Sequence, residues 1–546
     1  MKVALAQLNY HIGNFESNSN KIINAINQAK AGGADLVVFA ELAICGYPPR
    51  DFLEFTEFIE LSEEAIKNIA SHTKGIAAII GAPTKNPKFE GKDLFNSAYF
   101  IEDGEIKALV NKALLPTYDV FDEYRYFEPN TSFKCIDFKG IKIALTICED
   151  LWNINDNPLY ISAPMDELIK EKPDLMINIA ASPFSYNHDD NRYKVLSDNS
   201  RKYNLPLLYV NQVGSQTEII FDGGSFAFNA KGEMLSQLRY FEEDLKVFEF
   251  DNGELLGLKP MKYEPSPDVE QIYNALILGI RDYFQKSGFS KAVLGLSGGI
   301  DSAVVCALAA EALGAENVMA VLMPSKYSTG HSIQDALDLA KNLGCKHEIV
   351  EIKEVADAFD HVLAPVFKGL PFNIAEENLQ ARSRAVIVMA FSNKFGYVLL
   401  NTSNKSEAAV GYGTLYGDMA GAISVIGDVY KTQVYELANY INRNGEIIPL
   451  NSIVKPPSAE LRPEQKDSDS LPEYDVLDRL LYQYIELKKS SRDIIAQGFD
   501  AELVAKVLKM VNKAEFKRYQ TPPILRVSPK AFGMGRRMPI VGKYLS

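Results

Sequence analysis

The stretch AVLGLSGGIDS at residues 292–302 joins a short apolar strand to a Ser/Gly turn, and a helical pattern follows as far as Leu313. Glycines let a backbone approach an anion closely, and the N-terminus of a helix offers N–H donors and a favourable dipole. The turn has no lysine at the Walker A position. It ends instead at Asp301, whose carboxylate can coordinate Mg²⁺ that bridges phosphates. The stretch predicts a phosphate-binding unit of strand, turn and helix.

Short β-branched runs alternate with longer helical stretches along almost the whole chain, which predicts α/β layering. The clearest predicted strands are Lys2–Gln7, Leu36–Phe39, Ala77–Ile80, Ile141–Ile147, Leu175–Ile179, Leu207–Val210, Ala292–Leu296, Val318–Met323, Glu348–Ile352 and Tyr397–Leu400. The proline-punctuated stretch 251–268 has the composition of a connector, and a helix is predicted to begin at about Asp268. We therefore expect one domain at 1–250, a linker at 251–268 and a second domain at 269–546.

The composition is that of a globular protein and excludes several classes. Hydrophobic residues make up 47% and charged residues 23% of the 546, which excludes a disordered, collagenous or disulfide-scaffold protein. The net charge of −14 disfavours binding of nucleic acid or of an anionic membrane. Five cysteines without a CxxC pair fit a reducing compartment. With neither a signal peptide nor an apolar run of ~18 residues, we expect a soluble enzyme in the cytoplasm.

Three chemically reactive residues follow apolar stretches in the first half of the chain, namely Glu41, Lys112 and Cys148. If the three strands run parallel in one sheet, their carboxyl ends bring the side chains to one crevice. Such a trio suits attack on a carboxamide. The thiolate is the nucleophile, the carboxylate takes its proton, and the lysine lowers the thiol pKa and stabilises the oxyanion. The alternative is a buried cysteine beside an ordinary Glu–Lys ion pair.

The residues around this trio resemble a known family. The segments that resemble the three signatures of the nitrilase/amidase superfamily, in the same order, are Phe39-Ala40-Glu41-Leu42, Lys112-Ala113-Leu114-Leu115-Pro116 and Cys148-Glu149-Asp150-Leu151-Trp152. The resemblance covers about residues 1–250. It implies an αββα sandwich with Glu41, Lys112 and Cys148 as the catalytic triad and Glu123 as a supporting second glutamate.

The resemblance also implies how a glutamine substrate is held. Glutamine-hydrolysing members of the superfamily use a tyrosine after the lysine motif, here Tyr118, and the serine of a Ser-Pro-Phe segment, here Ser182. A basic residue soon after that serine usually holds the substrate carboxylate. The matching position is His188, where lysine is more common, and Arg192 lies nearby. A neutral histidine binds a carboxylate less well than lysine does. Two alternatives therefore stay open: Arg192 holds the substrate carboxylate, or His188 is only a histidine of a surface loop.

The glycine-rich turn of the second half resembles the SGGxDS pyrophosphate loop of the N-type ATP pyrophosphatases. Those enzymes cleave ATP between the α and β phosphates and adenylate a substrate. The resemblance implies a Rossmann-like parallel sheet of the PP-loop type with an ATP site. The implied ATP-binding residues of the loop are Gly295, Leu296, Ser297, Gly298, Gly299, Ile300, Asp301 and Ser302. The alternative is a plain Gly-rich turn.

Motifs further along the chain narrow the substrate. The segments that resemble the synthetase domain of the glutamine-dependent NAD⁺ synthetase family are 377–382 (ENLQAR), 401–407 (NTSNKSE), 427–432 (GDVYKT), 457–463 (PSAELRP), 467–472 (DSDSLP) and 516–518 (FKR). The implied contacts are Thr402, Lys431 and Ser458 for ATP, Asn378, Glu407 and Lys517 for deamido-NAD⁺, and Asp301 and Glu407 for Mg²⁺. The alternatives are strand-end capping for Thr402 and Ser458 and a solvated helix position for Lys431.

The C-terminal stretch 513–543 is locally basic, with eight lysines and arginines against one acidic residue, Glu515. On an acidic chain this stretch either attracts a dinucleotide pyrophosphate, or contacts an acidic neighbouring subunit, or is a solvated tail. It lacks the interleaved aromatic residues of a nucleic-acid platform, so we expect no nucleic-acid partner.

The two resemblances together imply an enzyme that amidates deamido-NAD⁺ to NAD⁺. ATP, the co-substrate, would activate the carboxylate as an acyl-adenylate with loss of pyrophosphate, and Cys148 would release ammonia from L-glutamine. Free ammonia at pH 7 is mostly ammonium, so a protected route between the sites is expected. Family members with this layout are often homo-octamers, so we expect a homo-oligomer, with the octamer among its forms.

Two other functions stay open at this point. The first half could be a catalytically silent scaffold, with the second half using free ammonia. The second half could also adenylate a different acceptor, such as another carboxylate or a tRNA base.

Overall fold

The structure is a computed structural model. It describes residues 1–154, 158–463 and 465–544. The chain divides into two units, Met1–Ser266 and Pro267–Ser546. This boundary lies inside the stretch 251–268, but that stretch is not wholly a linker, because it contains a strand at Glu254–Leu256. Among the described residues, no helix is both long enough and apolar enough to cross a membrane.

The first unit contains two large sheets. Its strands are β1 Lys2–Gln7, β2 Leu36–Val38, β3 Ala77–Lys85, β4 Leu94–Glu102, β5 Glu105–Asn111, β6 Ile136–Phe138, β7 Ile141–Ile147, β8 Leu175–Ala180, β9 Leu207–Asn211, β10 Val213–Gln216, β11 Ile219–Asp222, β12 Phe226–Phe228, β13 Met234–Gln237, β14 Asp244–Asp251 and β15 Glu254–Leu256. Its helices are α1 Phe15–Ala31, α2 Thr56–Ala70, α3 Pro164–Leu168 and α4 Asp189–Tyr203. The described strands form one sheet in the order β15-β14-β1-β2-β3-β4-β5, another in the order β13-β12-β9-β8-β7-β6, and a β10-β11 hairpin.

The alternation of side chains along β1 shows how the layers are built. Val3 and Leu5 pack in one core with the apolar side chains of β7, β8 and β9 from the other sheet. Ala4 and Ala6 point the opposite way and pack with the apolar faces of α1 and α2. Successive strand residues point to opposite faces, so each face of the sheet is buried against a different layer. The αββα sandwich implied by the family resemblance is confirmed.

The condition that the strands before Glu41, Lys112 and Cys148 share one sheet is not met. β2 and β5 belong to the seven-stranded sheet, whereas β7, which leads to Cys148, belongs to the six-stranded sheet. Apolar periodicity identifies a strand but does not say which sheet it joins. The three groups meet because the two sheets pack face to face and these strands end at the same edge of the sandwich.

The second unit is a parallel sheet with helices around it. Its strands are β16 Ala292–Gly295, β17 Val318–Leu322, β18 Lys346–Ile349, β19 Val398–Asn401 and β20 Ile423–Ser424. Its helices are α5 Asp268–Lys286, α6 Ile300–Leu313, α7 Gly330–Leu343, α8 Lys353–Phe367, α9 Ile374–Phe395, α10 Lys405–Val410, α11 Lys431–Ile441, α12 Leu450–Val454, α13 Tyr474–Ile485, α14 Ser491–Ala496, α15 Ala501–Lys513 and α16 Glu515–Arg518.

The strand order of this sheet positions a ligand crevice. The order is β18-β17-β16-β19-β20, and every described pair is parallel. The direction of strand addition therefore reverses between β16 and β19, and ligands bind beyond the carboxyl ends of strands at such a switch point. The predicted Rossmann-like parallel sheet is confirmed. In this sheet β18 departs from its predicted range of Glu348–Ile352, because Ile352 caps the start of α8 instead of extending the strand. In the first unit β3 runs past its predicted end at Ile80 as far as Lys85.

Candidate active sites

Glu41, Lys112 and Glu123 form a buried ionic cluster in the first unit. The ammonium Nζ of Lys112 lies 2.7 Å from Oε1 of Glu41 and 2.8 Å from Oε1 of Glu123. Glu41 and Lys112 have no exposed surface, and Glu123 and Cys148 are also buried. The charges of Glu41 and Lys112 both act on the Cys148 thiol, so the four predicted catalytic residues lie together.

Cys148 lies at a sharp turn between β7 and a 3-10 helix, Cys148–Leu151. Its backbone φ is +45°, a left-handed conformation that costs a non-glycine residue of order 1 kcal/mol or more. A reactive residue at the end of a buried strand is thereby turned out of the strand direction. The carbonyl oxygen of Cys148 accepts a hydrogen bond from Nδ2 of Asn178 at 3.4 Å, which helps to fix the turn.

Lys112 lowers the pKa of Cys148, as predicted, but it does not decide the net shift. Burial raises the pKa of the thiol well above its ordinary value, and the negative charge of Glu41 raises it further. The ammonium of Lys112 opposes both but offsets only part of the increase. Burial alone would lower the pKa of Lys112, yet the carboxylates of Glu123 and Glu41 raise it, so the lysine stays charged. Cys148 therefore rests as a thiol under the influence of the Glu41 charge, an arrangement suited to a carboxylate that takes a thiol proton.

We expect the rate of alkylation of Cys148 to report that its thiol is protonated near neutral pH. Only the thiolate reacts, and a raised pKa leaves little of it near neutral pH. The rate of carboxamidomethylation by iodoacetamide, followed by mass spectrometry of the Cys148 peptide, should therefore still rise with pH at pH 9. A plateau below pH 8 would mean that the lysine charge prevails over burial and Glu41.

Sequence reasoning missed side chains that hold this cluster in place. Nδ2 of Asn96 donates to Oε1 of Glu41 at 2.6 Å, and the hydroxyl of Tyr47 donates to Oε1 of Glu123 at 2.7 Å. The carboxylate of Asp150 accepts hydrogen bonds from the backbone N–H groups of Ala113 and Leu114 at 3.0 and 2.9 Å. These bonds connect the segment after Lys112 to the turn at Cys148–Leu151, called the nucleophile turn below. The sequence signal for Asn96 is weak: it is the first of two adjacent polar residues, Asn96 and Ser97, in the largely apolar strand β4.

The three predicted glutamine-binding residues lie in different settings. Tyr118 is 42% exposed, and its hydroxyl donates to both carboxylate oxygens of Glu149. Ser182 is buried, and its backbone N–H donates to Oδ1 of Asn211 at 2.9 Å. The ring of His188 stacks on that of Trp152, with centroids 5.1 Å apart and an angle of 6° between the rings. Trp152 ends the nucleophile turn, so this stack brings His188 next to it.

Arg192, the other candidate for binding the glutamine carboxylate, forms an ion pair with Asp222. Its guanidinium makes a two-point contact with Asp222, with Nη1–Oδ1 at 2.9 Å and Nη2–Oδ2 at 2.7 Å. Both side chains are about 1% exposed. A buried arginine paired in this way stabilises the fold and is poorly placed to receive a substrate carboxylate.

The glycine-rich loop of the second unit connects β16 to α6. Gly298 has φ +80°, and a Cβ built there would lie 2.1 Å from the carbonyl oxygen of Ser332, so glycine is needed for both conformation and space. Gly299 caps α6, whose first N–H groups are left without partners inside the helix. The hydroxyl of Ser302 donates to the carbonyl oxygen of Gly299 at 3.1 Å. The loop thus has the shape of an anion cradle.

A cavity of about 320 Å³ lies beyond the carboxyl ends of β16, β17 and β19. The predicted ATP residues that line it are Gly295, Leu296, Ser297, Gly299, Ile300, Asp301, Ser302, Thr402, Lys431 and Ser458. Gly298 lies in the same loop but is not part of the described lining. The hydroxyl of Ser458 donates to the carbonyl oxygen of Gln465. Lys431 is buried, which contradicts its interpretation as a solvated helix residue.

Asp301 and Glu407, the predicted metal ligands, both line this cavity. Nζ of Lys431 forms an ion pair with Oδ2 of Asp301, and Nδ2 of Asn404 donates to its Oδ1 at 2.9 Å. Burial raises the pKa of Glu407 well above its ordinary value, and the negative charge of Asp301 raises it further. In the described part of the chain, no three acidic, histidine or cysteine side chains gather as a metal site. A cation here would use the two carboxylates together with oxygens of a ligand.

Asn378 and Lys517 hold a loop at the cavity instead of lining it. Nζ of Lys517 donates to the carbonyl oxygens of Gly411 and Gly413 at 2.8 and 2.7 Å. Oδ1 of Asn378 accepts the hydroxyl of Thr414 at 2.8 Å. The loop that they support contributes Tyr412, Gly417 and Asp418 to the lining. Among the described lining residues neither Asn378 nor Lys517 appears.

The basic C-terminal stretch is not a solvated tail throughout. Arg518, Arg526 and Arg536 are buried. Nη2 of Arg518 and Nη1 of Arg536 lie 2.7 and 2.9 Å from Oε2 of Glu515. Nη1 of Arg518 also donates to the carbonyl oxygen of Ala409 at 2.7 Å, at the end of α10. Arg518 and Arg536 therefore connect the C-terminal segment to Glu515 and to α10.

Comparison with known proteins gives matches over both units. A carbon-nitrogen hydrolase family model matches residues 2–255, and an NAD synthase family model matches residues 272–521. The chain is 49% identical to the glutamine-dependent NAD(+) synthetase of Synechocystis sp. over 98% of each chain. It is 43% identical to that of Acinetobacter baylyi, over 99% of this chain and 98% of the relative. The solved structure of the Acinetobacter baumannii glutamine-dependent NAD+ synthetase with ADP matches with a TM-score of 0.79 at 40% identity, over 100% of this chain and 99% of the other.

Proposed function

The chain belongs to the glutamine-dependent NAD⁺ synthetase family, and from this premise we propose that it amidates deamido-NAD⁺ to NAD⁺ with ATP, using ammonia that it releases from L-glutamine. The observation that carries this proposal is the presence in one chain of a buried Glu41–Lys112–Cys148 cluster and of an anion cradle that opens into a cavity. A fully buried lysine between two carboxylates is costly to fold, which argues against a silent scaffold.

In the first unit, Cys148 would attack the amide carbon of glutamine. Glu41 takes the thiol proton and delivers it to the leaving nitrogen, which departs as ammonia and leaves a γ-glutamyl thioester. The charged Lys112 stabilises the oxyanion of each tetrahedral intermediate. Glu41 then takes a proton from water, which hydrolyses the thioester to glutamate and restores the thiol.

The second unit would activate the acceptor. The nicotinate carboxylate of deamido-NAD⁺ attacks the α-phosphate of ATP and displaces pyrophosphate, and ammonia then attacks the acyl-adenylate and displaces AMP. We assign the loop 295–302 to the phosphates, because its glycines allow a close backbone approach at the start of α6. Thr402 and Ser458 line the same cavity and are assigned to ATP. The buried ammonium of Lys431 is assigned to the leaving pyrophosphate.

We propose that Asp301 and Glu407 hold Mg²⁺. Two carboxylates that line one cavity suit this hard cation, and they support the proposal. When bound, Mg²⁺ would neutralise phosphate charge. For deamido-NAD⁺ we assign Glu407 as a direct contact. Asn378 and Lys517 are assigned through the loop that they support at the cavity.

For the glutamine carboxylate we assign His188 in preference to Arg192. The support is that Arg192 is paired with Asp222 in the interior, whereas His188 stacks on Trp152 at the end of the nucleophile turn. Tyr118 and Ser182 complete the assignment. We also assign the enzyme to the cytoplasm, since its five cysteines are free and buried. A homo-oligomer is supported by exposed apolar side chains on α8, among them Val362 and Val366.

The proposed function predicts transfer of nitrogen from glutamine to NAD⁺. With amide-¹⁵N glutamine, ATP and deamido-NAD⁺, we expect NAD⁺ one mass unit heavier than the unlabelled product, with one AMP and one pyrophosphate per NAD⁺. Mass spectrometry of the nucleotides measures all three. Formation of ADP and phosphate, or no pyrophosphate release with deamido-NAD⁺, would contradict the proposed acceptor and the adenylate.

A further inference from the structure

Asn404 is a buried amide between two residues that line the cavity of the second unit, and the proposed steps do not use it. It directly precedes α10 and has no exposed surface. Its Oδ1 accepts a hydrogen bond from the backbone N–H of Glu407 at 3.0 Å, and its Nδ2 donates to Oδ1 of Asp301 at 2.9 Å. The backbone N–H of Glu407 can only donate, so the amide oxygen faces α10 and the amide nitrogen faces Asp301. One side chain therefore contacts both residues that are assigned to Mg²⁺.

The position of Asn404 is fixed by the residue that follows it and by its own backbone. Lys405 has no exposed surface, and its Nζ lies 2.8 Å from Oδ1 of Asp428. The backbone N–H of Lys405 donates to the carbonyl oxygen of Val429 at 2.9 Å. The backbone N–H of Asn404 donates to Oε2 of Glu407 at 3.3 Å, so a reciprocal pair of hydrogen bonds closes the start of α10. Asn404 is therefore held rigidly at this end of the helix.

Asp301 is held at both of its carboxylate oxygens. Nδ2 of Asn404 donates to Oδ1, and Nζ of Lys431 forms an ion pair with Oδ2. Two partners on different oxygens fix the plane of the carboxylate as well as its place. Without Asn404 the carboxylate would keep only the contact with Lys431, and a single contact leaves a side chain free to rotate. Hydrogen bonds of this kind orient the carboxylates that bind metal ions.

The start of α9 has the same type of helix cap without the contact to a carboxylate of the cavity. Oδ1 of Asn373 accepts a hydrogen bond from the backbone N–H of Ala375 at 2.8 Å, and the backbone N–H of Asn373 donates to Oε2 of Glu376 at 2.8 Å. Asn373 is exposed and is not part of the described lining of the cavity. Serine caps a helix about as well as asparagine, so capping alone does not need the amide nitrogen. The bond from that nitrogen to Asp301 is what distinguishes Asn404.

We propose that Asn404 is a positioning residue of the second unit, which holds the Asp301 carboxylate beside Glu407 so that the two carboxylates can bind one Mg²⁺ together with ATP. The proposal rests on the proposed binding of Mg²⁺ and ATP by this unit. Asn404 acts through Asp301 and not on the nucleotide. Its loss should therefore weaken the binding of ATP in the presence of Mg²⁺ and leave the binding of metal-free ATP unchanged.

The test is isothermal titration calorimetry of the full chain with ATP, once with Mg²⁺ and once with EDTA. Asn404→Ser keeps an oxygen that can cap α10 and loses the donor to Asp301. The Kd for ATP with Mg²⁺ should rise roughly 10- to 100-fold in this variant, as expected for loss of a hydrogen bond to a charged group. The Kd for ATP in EDTA should stay that of the wild type. Asn404→Thr, which keeps the same oxygen and fills more of the space, should give the same pair of results.

Asn373→Ser is the matched control, because it makes the same change in a helix cap away from Asp301. It should bind ATP as the wild type does in both conditions. Wild-type affinity of Asn404→Ser for ATP with Mg²⁺ would mean that Asn404 only caps α10, and an equal loss in Mg²⁺ and in EDTA would mean general damage to the fold; either result overturns the proposal. Wild-type enzyme that binds ATP equally well with Mg²⁺ and with EDTA would refute the proposed Mg²⁺ site itself, a result that needs no variant to fold.

Discussion

Replacing Cys148 with alanine is expected to abolish glutamine-driven NAD⁺ synthesis and to leave ammonium-driven synthesis intact. The variant removes the nucleophile, so no thioester can form, and glutamine hydrolysis should fall by roughly 10⁴-fold or more, as after loss of a hydrolase nucleophile. The ion pair of Glu41 and Lys112 is formed without the thiol, so the buried cluster should persist. Parallel assays with glutamine and with ammonium chloride, following NAD⁺, measure the two effects.

Cys135→Ala provides the control for loss of a buried thiol. Cys135 lies just before β6, and its Sγ donates to the carbonyl oxygen of Leu168 at 3.7 Å, outside the ionic cluster. This variant should keep glutamine-driven synthesis. If Cys148→Ala retained glutamine-driven turnover, the first unit would be a scaffold and the nitrogen would have another source.

The sequence indicated the layers of the fold but not the partners within them. Strand periodicity located β1 and β7 to the residue, yet the antiparallel pairing of β1 with β14 places Lys2 opposite Glu249, across most of the first unit. A local sequence pattern cannot predict hydrogen-bonded pairing between strands that are so far apart in the chain. For the same reason strand periodicity does not say which sheet β7 joins, whereas the family resemblance implies two sheets.

The candidate catalytic residues can be predicted from sequence motifs, whereas the residues that hold them in position cannot. Glu41 and Lys112 stand in recognisable segments, and the structure joins them at 2.7 Å. Asn96, which fixes Glu41, stands in a strand where no motif marks it. The net rise in the pKa of Cys148 was also beyond reach, because it depends on how completely packing removes water from the thiol. The role of Lys517 also could not be predicted, because its hydrogen bond to the carbonyl oxygen of Gly411 joins residues that only the folded chain brings together.

Loss of the Asp301 charge is expected to stop synthesis from either nitrogen source. In Asp301→Asn the side chain keeps its size, but the cavity loses one of the two carboxylates assigned to Mg²⁺. We expect kcat for NAD⁺ formation to fall roughly 10²- to 10³-fold with glutamine and with ammonium alike, as when one electrostatic contact to a developing charge is removed. The Mg²⁺ concentration for half-maximal rate should also rise. Glutamine hydrolysis, assayed without ATP and deamido-NAD⁺, should be unchanged.

The ion pair between Asp301 and Lys431 makes a stability control necessary. The Asp301 side chain is 19% exposed, but that of Lys431 is only 2% exposed, so removing the carboxylate leaves a buried ammonium less compensated and a lower Tm is expected. Rates are therefore compared well below that Tm, against Asp360→Asn, which changes an exposed carboxylate on α8. Saturating Mg²⁺ separates the two effects, because added cation can restore part of the rate of a folded variant with a weakened site but not that of an unfolded one. An Asp301→Asn enzyme with wild-type kcat and wild-type Mg²⁺ dependence would remove Asp301 from the ATP site.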